Sequence, residues 1–340
     1  MSTTEAFQIP PKAKGIILDH KGAQPRYGEI DIPPLQAGDI LVKVHAAPIN
    51  PSDQLFVQGT YPAQKPFPCF AGFEGSGRIV AAVGEKEQQL IGKEVGFTAK
   101  QNSHFGSYAD YSVTTLKQIM ILPKEVDLDH GACSFVNPFT VAAMLEIAKQ
   151  KGVKTVIHDI GASQLGKQMQ RYFNDNGVNV INIVRRDEQA KDIKENCGAK
   201  YVLNQNEENF WQKLHDLSVE LDAKIVYDAI GGEFVSNLIK HLPKNIIIYN
   251  YGLLSNEYYP QVDLTKMLFE GKQLAGFILG LVLQDFGLET VQKIASNVSK
   301  YLNTIFSSDI SKKFNHNQFS EAFQHYEKNM SAGKVLIMPQ

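Results

Sequence analysis

Thr155-Val-Ile-His158, Gly161-Ala-Ser-Gln-Leu-Gly166, Val178-Asn-Val-Ile-Asn-Ile-Val184 and then Arg185-Arg186 form the stretch on which the fold turns. The first four residues are a short apolar run of the kind found in a buried strand, and a turn with two glycines follows at once. Lys167–Asn174 has a helical pattern, and Val178–Val184 is a second apolar strand. Strand, glycine turn, helix and strand in this order make one half of a dinucleotide-binding βαβ unit. Glycine lets the turn close tightly, and the next helix offers unpaired N–H groups and the positive end of its dipole to a pyrophosphate. The pattern is imperfect, because Ser163 stands where G-x-G-x-x-G has its middle glycine. An ordinary strand-to-helix turn is the alternative.

The end of the second strand sets which cofactor is expected. NAD-binding units usually carry an acidic residue about 20 residues on, which accepts from the ribose 2′-hydroxyl. Here that place holds Arg185 and Arg186, whose guanidinium groups suit a 2′-phosphate, so NADPH is expected. The alternative is a solvated pair, and Asp187 immediately afterwards works against the NADPH reading.

The rest of the chain fits this centre. Its 340 residues, 43% of them hydrophobic, suffice for two ordinary domains. A net charge of -2 gives no basic surplus for nucleic acid, so small molecules are the expected partners. Cys69, Cys133 and Cys197 are too scattered for a disulfide framework or a four-thiolate zinc site. The N-terminus lacks the cationic and apolar regions of a secretory signal. The expected location is the cytoplasm, with a mitochondrion as the alternative. The longest apolar run, Leu274–Leu283, is too short and too glycine-broken to span a bilayer.

Before about residue 128 the chain reads as short β runs, such as Lys14–Leu18, Ile40–Ala47 and Gly77–Val83, separated by Pro and Gly turns. This texture suits a barrel-like or sandwich domain. Beyond it, helical segments alternate with the strands Thr155–His158, Val178–Val184, Tyr201–Leu203, Lys224–Asp228, Asn245–Tyr249 and Leu274–Leu279, which indicates a doubly wound parallel sheet. A helix over Thr290–Phe306, another over Ser320–Asn329 and a strand over Lys334–Met338 complete the chain, the last returning to the first domain. The expected class is α/β, with residues 1–128 and 286–340 in a β-rich domain and 129–285 in a Rossmann domain.

Further segments share an order with a known family. Asn50-Pro-Ser-Asp53 and Gln58-Gly-Thr-Tyr-Pro62 lead into Gly72-Phe-Glu-Gly-Ser-Gly77. Phe135-Val-Asn-Pro138, Tyr227-Asp-Ala-Ile-Gly-Gly232, Tyr249-Asn-Tyr-Gly252 and Gly333-Lys334 follow. The chain resembles the medium-chain dehydrogenase/reductase superfamily over essentially its whole length. Within it, the chain looks most like the 2-enoyl thioester reductase-like branch, with the quinone oxidoreductases next. The resemblance implies a GroES-like first domain. Zinc-dependent members carry cysteine at the position of Asn50 and histidine at that of Phe73, so a zinc-independent enzyme is expected, with no metal site.

The resemblance also implies roles for particular residues. Tyr61 would donate a proton, with packing over the nicotinamide or at the mouth as its alternative, and Asn50 and Asn137 can donate amide N–H groups within the cleft. Ala162, Ser163, Gln164 and Leu165, between Gly161 and Gly166, would wrap the pyrophosphate. Tyr251, Gly252, Leu253 and Leu254 would edge the nicotinamide, with Phe277, Ile278 and Leu279 on the same wall. Asn137 would lie beside the cofactor, or serve only the turn before Pro138. Lys334 would reach the cofactor, or be an exposed tail lysine.

The activity expected is NADPH-dependent reduction of the activated C=C of 2-enoyl thioesters, enones or enals. One alternative is NADPH:quinone reduction. Another is an idle cofactor-binding dimer within a larger assembly such as a respiratory complex. Asp159 and Gln164 motivate the idle reading, because an anion and a bulky side chain at the phosphate turn would weaken cofactor binding. A homodimer is expected through an edge strand at Leu274–Leu283, a helical cover being the alternative.

Overall fold

The computed structural model describes residues 7–62 and 65–340; residues 1–6, on which much of the leader reading rests, lie outside them. The chain divides into two compact units, Met1–Val136 with Tyr301–Gln340, and Asn137–Lys300. Both junctions fall later in the chain than the texture of the sequence suggests. The helix Gly287–Lys300 belongs wholly to the second unit.

In chain order, the first unit contributes β1 (Lys12–Leu18), β2 (Arg26–Asp31), β3 (Ile40–Pro48), β4 (Cys69–Phe70), β5 (Glu74–Ala82), β6 (Glu94–Thr98), β7 (Tyr111–Thr114) and β8 (Ile119–Ile121). The second contributes β9 (Thr155–His158), β10 (Asn179–Val184), β11 (Tyr201–Asn204), β12 (Ile225–Asp228), β13 (Ile247–Asn250) and β14 (Gln273–Gly276). The chain then returns to the first with β15 (Ile310–Asn315) and β16 (Lys334–Met338).

The first unit is the β-rich one. Its small sheet runs β2-β1-β4, and its larger one runs β15-β16-β3-β5-β6-β8 with β7 also on β3. Strand β3 is buried along almost its full length, so it reads as a near-continuous apolar run rather than an alternation. Ile16, Ile49, Phe56, Tyr108, Val335 and Ile337 form one core, and Ile40, Val42, Val95 and Phe97 another. The return to this unit is made by β16, which pairs antiparallel with β3.

The second unit is a six-stranded sheet in the order β11-β10-β9-β12-β13-β14, with every pairing parallel. Helices cover both faces of such a sheet, which is why β9 and β12 are buried at all four residues. The strand order reverses between β9 and β12, and ligands bind beyond the strand C-termini at such a switch point. Ile157, Ile181, Val226, Leu238 and Ile248 fill the core beneath it.

Two elements differ from expectation. The edge strand is shorter than Leu274–Leu283: β14 ends at Gly276, and Leu279–Asp285 is a helix. The N–H groups of Leu281 and Val282 both donate to the Ile278 carbonyl at 3.0 Å. A short apolar run fits either period, and here only its first residues find a strand partner. The helix expected over Thr290–Phe306 begins at Gly287 and stops at Lys300. Among the described residues, no helix is long and apolar enough to cross a membrane.

Candidate functional site

In the second unit, the glycine turn joins β9 to the helix Gln164–Asp175. Ser163 is the residue before that helix, and its Oγ accepts from the Gly166 N–H at 3.0 Å. The serine that breaks the G-x-G-x-x-G pattern is therefore a helix N-cap. Both flanking glycines are required by close packing. A Cβ on Gly166 would lie 2.4 Å from the Gly161 carbonyl oxygen, and one on Gly161 would lie 2.8 Å from Cβ of Asn182. Ala162, Gln164 and Leu165 are buried in the turn.

Arg185 and Arg186 follow β10 and are both exposed. Their backbone is pinned where the strand ends. The Arg185 N–H donates to Gln189 Oε1 at 3.1 Å, and Asn206 Nδ2 donates to the Arg185 carbonyl at 2.8 Å. Asp187, the acid that seemed to oppose a 2′-phosphate, accepts from Asn204 Nδ2 at 2.8 Å and opens the helix Asp187–Cys197. Its charge is thus engaged toward β11.

Asp159 does not present an anion to the phosphate turn. Its carboxyl is 2% exposed and accepts from the Ala229 N–H at 3.0 Å and the Ile230 N–H at 3.4 Å. Burial first, and then the neighbouring Asp228, push the Asp159 carboxyl well above the usual carboxylate range. Asp228 in turn accepts from the Gly231 N–H at 3.2 Å and from the Asn250 amide.

The expected nicotinamide wall follows β13. Tyr251 N–H donates to the Asp228 carbonyl at 2.8 Å, Leu254 N–H to the Ala229 carbonyl at 3.0 Å, and Asn250 Nδ2 to the Gly252 carbonyl at 2.8 Å. The Tyr251 hydroxyl meets His158 Nε2 at 2.7 Å, and its ring lies edge-on to buried Phe277. Burial pushes His158 down to about 3, so this imidazole is neutral. Leu253 is half-buried, Ile278 is half exposed, and Leu279 begins the short helix. Asn137 is buried in the first turn of the helix Val136–Gln150.

These residues fit a dinucleotide. The turn leaves no room for a Cβ at either glycine, a helix N-terminus faces it, and the strand ends around the switch point carry the wall. A dinucleotide is the kind of cofactor that these residues could hold.

The first unit holds a separate polar cluster. Asn50 caps the helix Pro51–Val57, and its own N–H donates to Asp53 Oδ2 at 2.9 Å, as a capping box requires. Asn50 Nδ2 donates to Glu74 Oε1 at 2.8 Å, while the Lys334 ammonium donates to Asn50 Oδ1. Glu74 Oε2 accepts from the Phe135 and Val136 N–H groups at 3.0 and 2.9 Å. Asn50, Asp53, Glu74 and Lys334 are all buried, so Lys334 is not an exposed tail lysine. Burial pushes Asp53 up to about 7, against the pull of the Asn50 and Phe73 N–H groups.

Tyr61 is half-buried, with its ring centroid 5.2 Å from that of Phe73. Burial, and then Asp53, raise its phenol, which is a neutral donor at ordinary pH. Among the described residues, no group of three or more His, Cys, Asp or Glu side chains could hold a metal ion.

Several members of these clusters escaped the sequence reading. Asp53 was legible as the third residue of a capping box after Asn50. Asp228, His158 and Asn250 carry no local signal, because their partners lie on other strands.

A family model, the alcohol dehydrogenase GroES-like domain, matches residues 36–124. Mitochondrial enoyl-acyl-carrier-protein reductase from Rattus norvegicus is 24% identical, over 82% of this chain and 75% of its own length. Quinone oxidoreductase from Sus scrofa is 26% identical, over 79% and 78%. A solved Mesorhizobium loti structure named for NADPH:quinone reduction superposes with a TM-score of 0.85 at 28% identity, covering 98% of this chain and 100% of its own.

Proposed function

Since the chain belongs to the medium-chain dehydrogenase/reductase superfamily, in its enoyl reductase- and quinone oxidoreductase-like branch, we propose that it is an NADPH-dependent reductase of the activated C=C of 2-enoyl thioesters or related enones and enals. The observation that carries the cofactor choice is the exposed Arg185–Arg186 pair at the end of β10, with Asp187 drawn away to Asn204. When bound, NADPH supplies the hydride. The chain's own residues do the rest. Gly161–Gly166 hold the pyrophosphate, the two arginines take the 2′-phosphate, and Tyr251–Leu254 with Phe277, Ile278 and Leu279 flank the nicotinamide.

Hydride addition to such a double bond leaves an enolate, which needs a proton and a donor at the developing oxyanion. Tyr61 is the proposed proton donor, since its phenol is held protonated by burial. Lys334 and Glu74 fix the Asn50 amide, whose oxygen faces the ammonium and whose nitrogen is turned to the carboxylate. Mixing the pure protein with NADPH and a crotonyl thioester is expected to consume the reduced cofactor, with NADH much slower. No consumption with any enoyl thioester, enone or enal would overturn the reading.

Reduction of a quinone is the second reading, supported by the Sus scrofa relative and the Mesorhizobium loti structure. The same assay with quinones separates the two. Against the idle-subunit reading stands Asp159, whose buried carboxyl accepts from the Ala229 N–H. A second copy pairing along β14 belongs to the proposal, supported by its place at the edge of the sheet and by the exposed Ile278 and Leu281 beside it. The rat relative's name supports a mitochondrial location.

A further inference from the structure

Between β13 and the helix Leu264–Glu270 the chain has no regular structure, and its first residues there, Tyr251–Leu254, are the proposed nicotinamide wall. The residues after the wall cross to the helix Gly232–His241. That helix is preceded by Gly231, which has no side chain to cap it, so its first N–H groups need acceptors from elsewhere. Glu257 supplies one: its Oε2 accepts from the Glu233 N–H at 2.9 Å. A carboxylate there also meets the positive end of the helix dipole. Further along the helix, Ser236 Oγ accepts from the Gln261 N–H at 2.9 Å. The Ser255 N–H donates to the Ile230 carbonyl, also at 2.9 Å.

We propose that Glu257 is a positioning residue: by capping the helix Gly232–His241 it latches the segment that carries the Tyr251–Leu254 wall, and so holds that wall ready for the nicotinamide. This role rests on this unit being the one that binds NADPH. The path from latch to wall is short. Glu257 N–H donates to Ser255 Oγ at 3.1 Å, Asn256 N–H to the Leu253 carbonyl at 3.1 Å, and Leu254 N–H to the Ala229 carbonyl at 3.0 Å. Glycine at 231 and 232 lets the segment come this close. A Cβ on Gly232, whose φ is +53°, would lie 2.4 Å from Cβ of Glu257, and one on Gly231 would lie 3.4 Å from Cδ2 of Leu253.

Apolar burial contributes little to holding the segment. Tyr258 and Tyr259 are 45% and 92% exposed. A cavity of about 250 Å³, lined by Val235, Leu253, Pro260 and Leu274, lies between the segment and β14. A segment with so little packing opens at low cost, and its few hydrogen bonds set its position. Opening weakens cofactor binding without altering any contact to the cofactor, because only molecules with the wall in place are competent to bind.

Two variants of the full chain test the latch. Glu257→Ala removes the cap, whereas Glu257→Gln keeps an oxygen that can accept from Glu233. Three quantities are measured: NADPH affinity by fluorescence titration, the thermal midpoint without cofactor, and hydrogen exchange over residues 251–263. Glu257→Ala is expected to bind NADPH about fivefold more weakly, as it would with the wall in place about a fifth of the time. Its midpoint should stay within about 3 °C of wild type, as expected for one exposed cap. Exchange over 251–263 should quicken, above all at Leu254 and Ser255, whose N–H groups now hold the segment to Ala229 and Ile230. Glu257→Gln should stay within about twofold of wild-type affinity.

A cap that served only its helix would lower the midpoint and leave both NADPH affinity and exchange over 251–263 unchanged. That result in Glu257→Ala would overturn the inference, and so would a Glu257→Gln protein that binds as weakly as Glu257→Ala. Failure of wild type to bind NADPH would overturn the cofactor reading instead, while exchange over 251–263 still decides whether Glu257 latches the segment.

Discussion

In the proposed function, Arg185 and Arg186 would decide the choice between the two nicotinamide dinucleotides, through charge placed at one strand end. Their side chains are exposed and Asp187 accepts from Asn204, so a 2′-phosphate placed at this strand end would meet guanidinium groups. Replacing both with alanine is expected to weaken NADPH about 10- to 100-fold, at roughly 1.4 kcal/mol per factor of ten, and to leave NADH nearly unchanged. Titrating each cofactor into wild type and variant gives the answer, and an equal loss for both would refute the role. The exposed pair itself was readable from the sequence, because the residues that end a second strand are local information. The fate of Asp187 was not, since Asn204 lies on the neighbouring strand. Asp159 is the sharper case. Seen alone it was an anion beside a phosphate turn, and its contacts with the Ala229 and Ile230 N–H groups, far away in sequence, turn it inward.

At the scale of the element, the turn and helix after β9 were legible because glycine, cap and apolar strand follow each other in sequence. The end of the sheet was not. Leu274–Leu283 has the composition of a strand, yet β14 stops at Gly276 and the apolar run finishes in the helix Leu279–Asp285. What remains of the edge is four residues long, with Ile278 and Leu281 exposed beyond it at 50% and 57%. If a second copy covers this edge, sedimentation of wild type should give twice the mass of one chain. Changing Ile278 and Leu281 together to lysine should shift it toward one chain by placing like charges across the contact. A wild type that sediments as a single chain at micromolar concentration would remove the dimer from the proposal.

For the whole molecule, the two-unit plan was visible as a change of texture, from short β runs with Pro and Gly turns to strands alternating with helices. The placement of the polar clusters was not visible, because each draws residues from distant parts of the chain; Lys334 and Asn50 are 284 positions apart. Acid should find weak points in both units. His158 in the second unit and His316 in the first are fully buried, and burial pushes them from 6.5 down to about 3 and about 4. Both ring nitrogens of His316 lack a hydrogen-bond partner among the described residues, and the nearest carboxylate is Asp110 at 3.8 Å. A group depressed in the folded state stabilises it fully above the unfolded value, and the contribution is lost as pH falls through the folded one. Between about pH 6.5 and 4, His316 alone should cost on the order of 3 kcal/mol. His316→Gln should flatten the acid limb of a thermal-midpoint profile, and an unchanged limb would count against the assignment.

The path of the chain through the large sheet of the first unit also bears on biosynthesis. Strand β16 inserts between β15 and β3, and it also brings Lys334 to Asn50. As the polypeptide emerges from the ribosome, the parallel-sheet unit is fully translated once Lys300 has appeared and can fold as a body. The barrel-like unit cannot. Until β16 is made, β3 has β5 on one side and β7 along Ile40–Lys43 on the other, so its Ala47–Pro48 end stands without a partner, an open template for any passing strand. The nascent protein therefore carries a finished dinucleotide fold beside an unclosed one, and the lysine that completes the Asn50 cluster is also part of the strand that seals the gap.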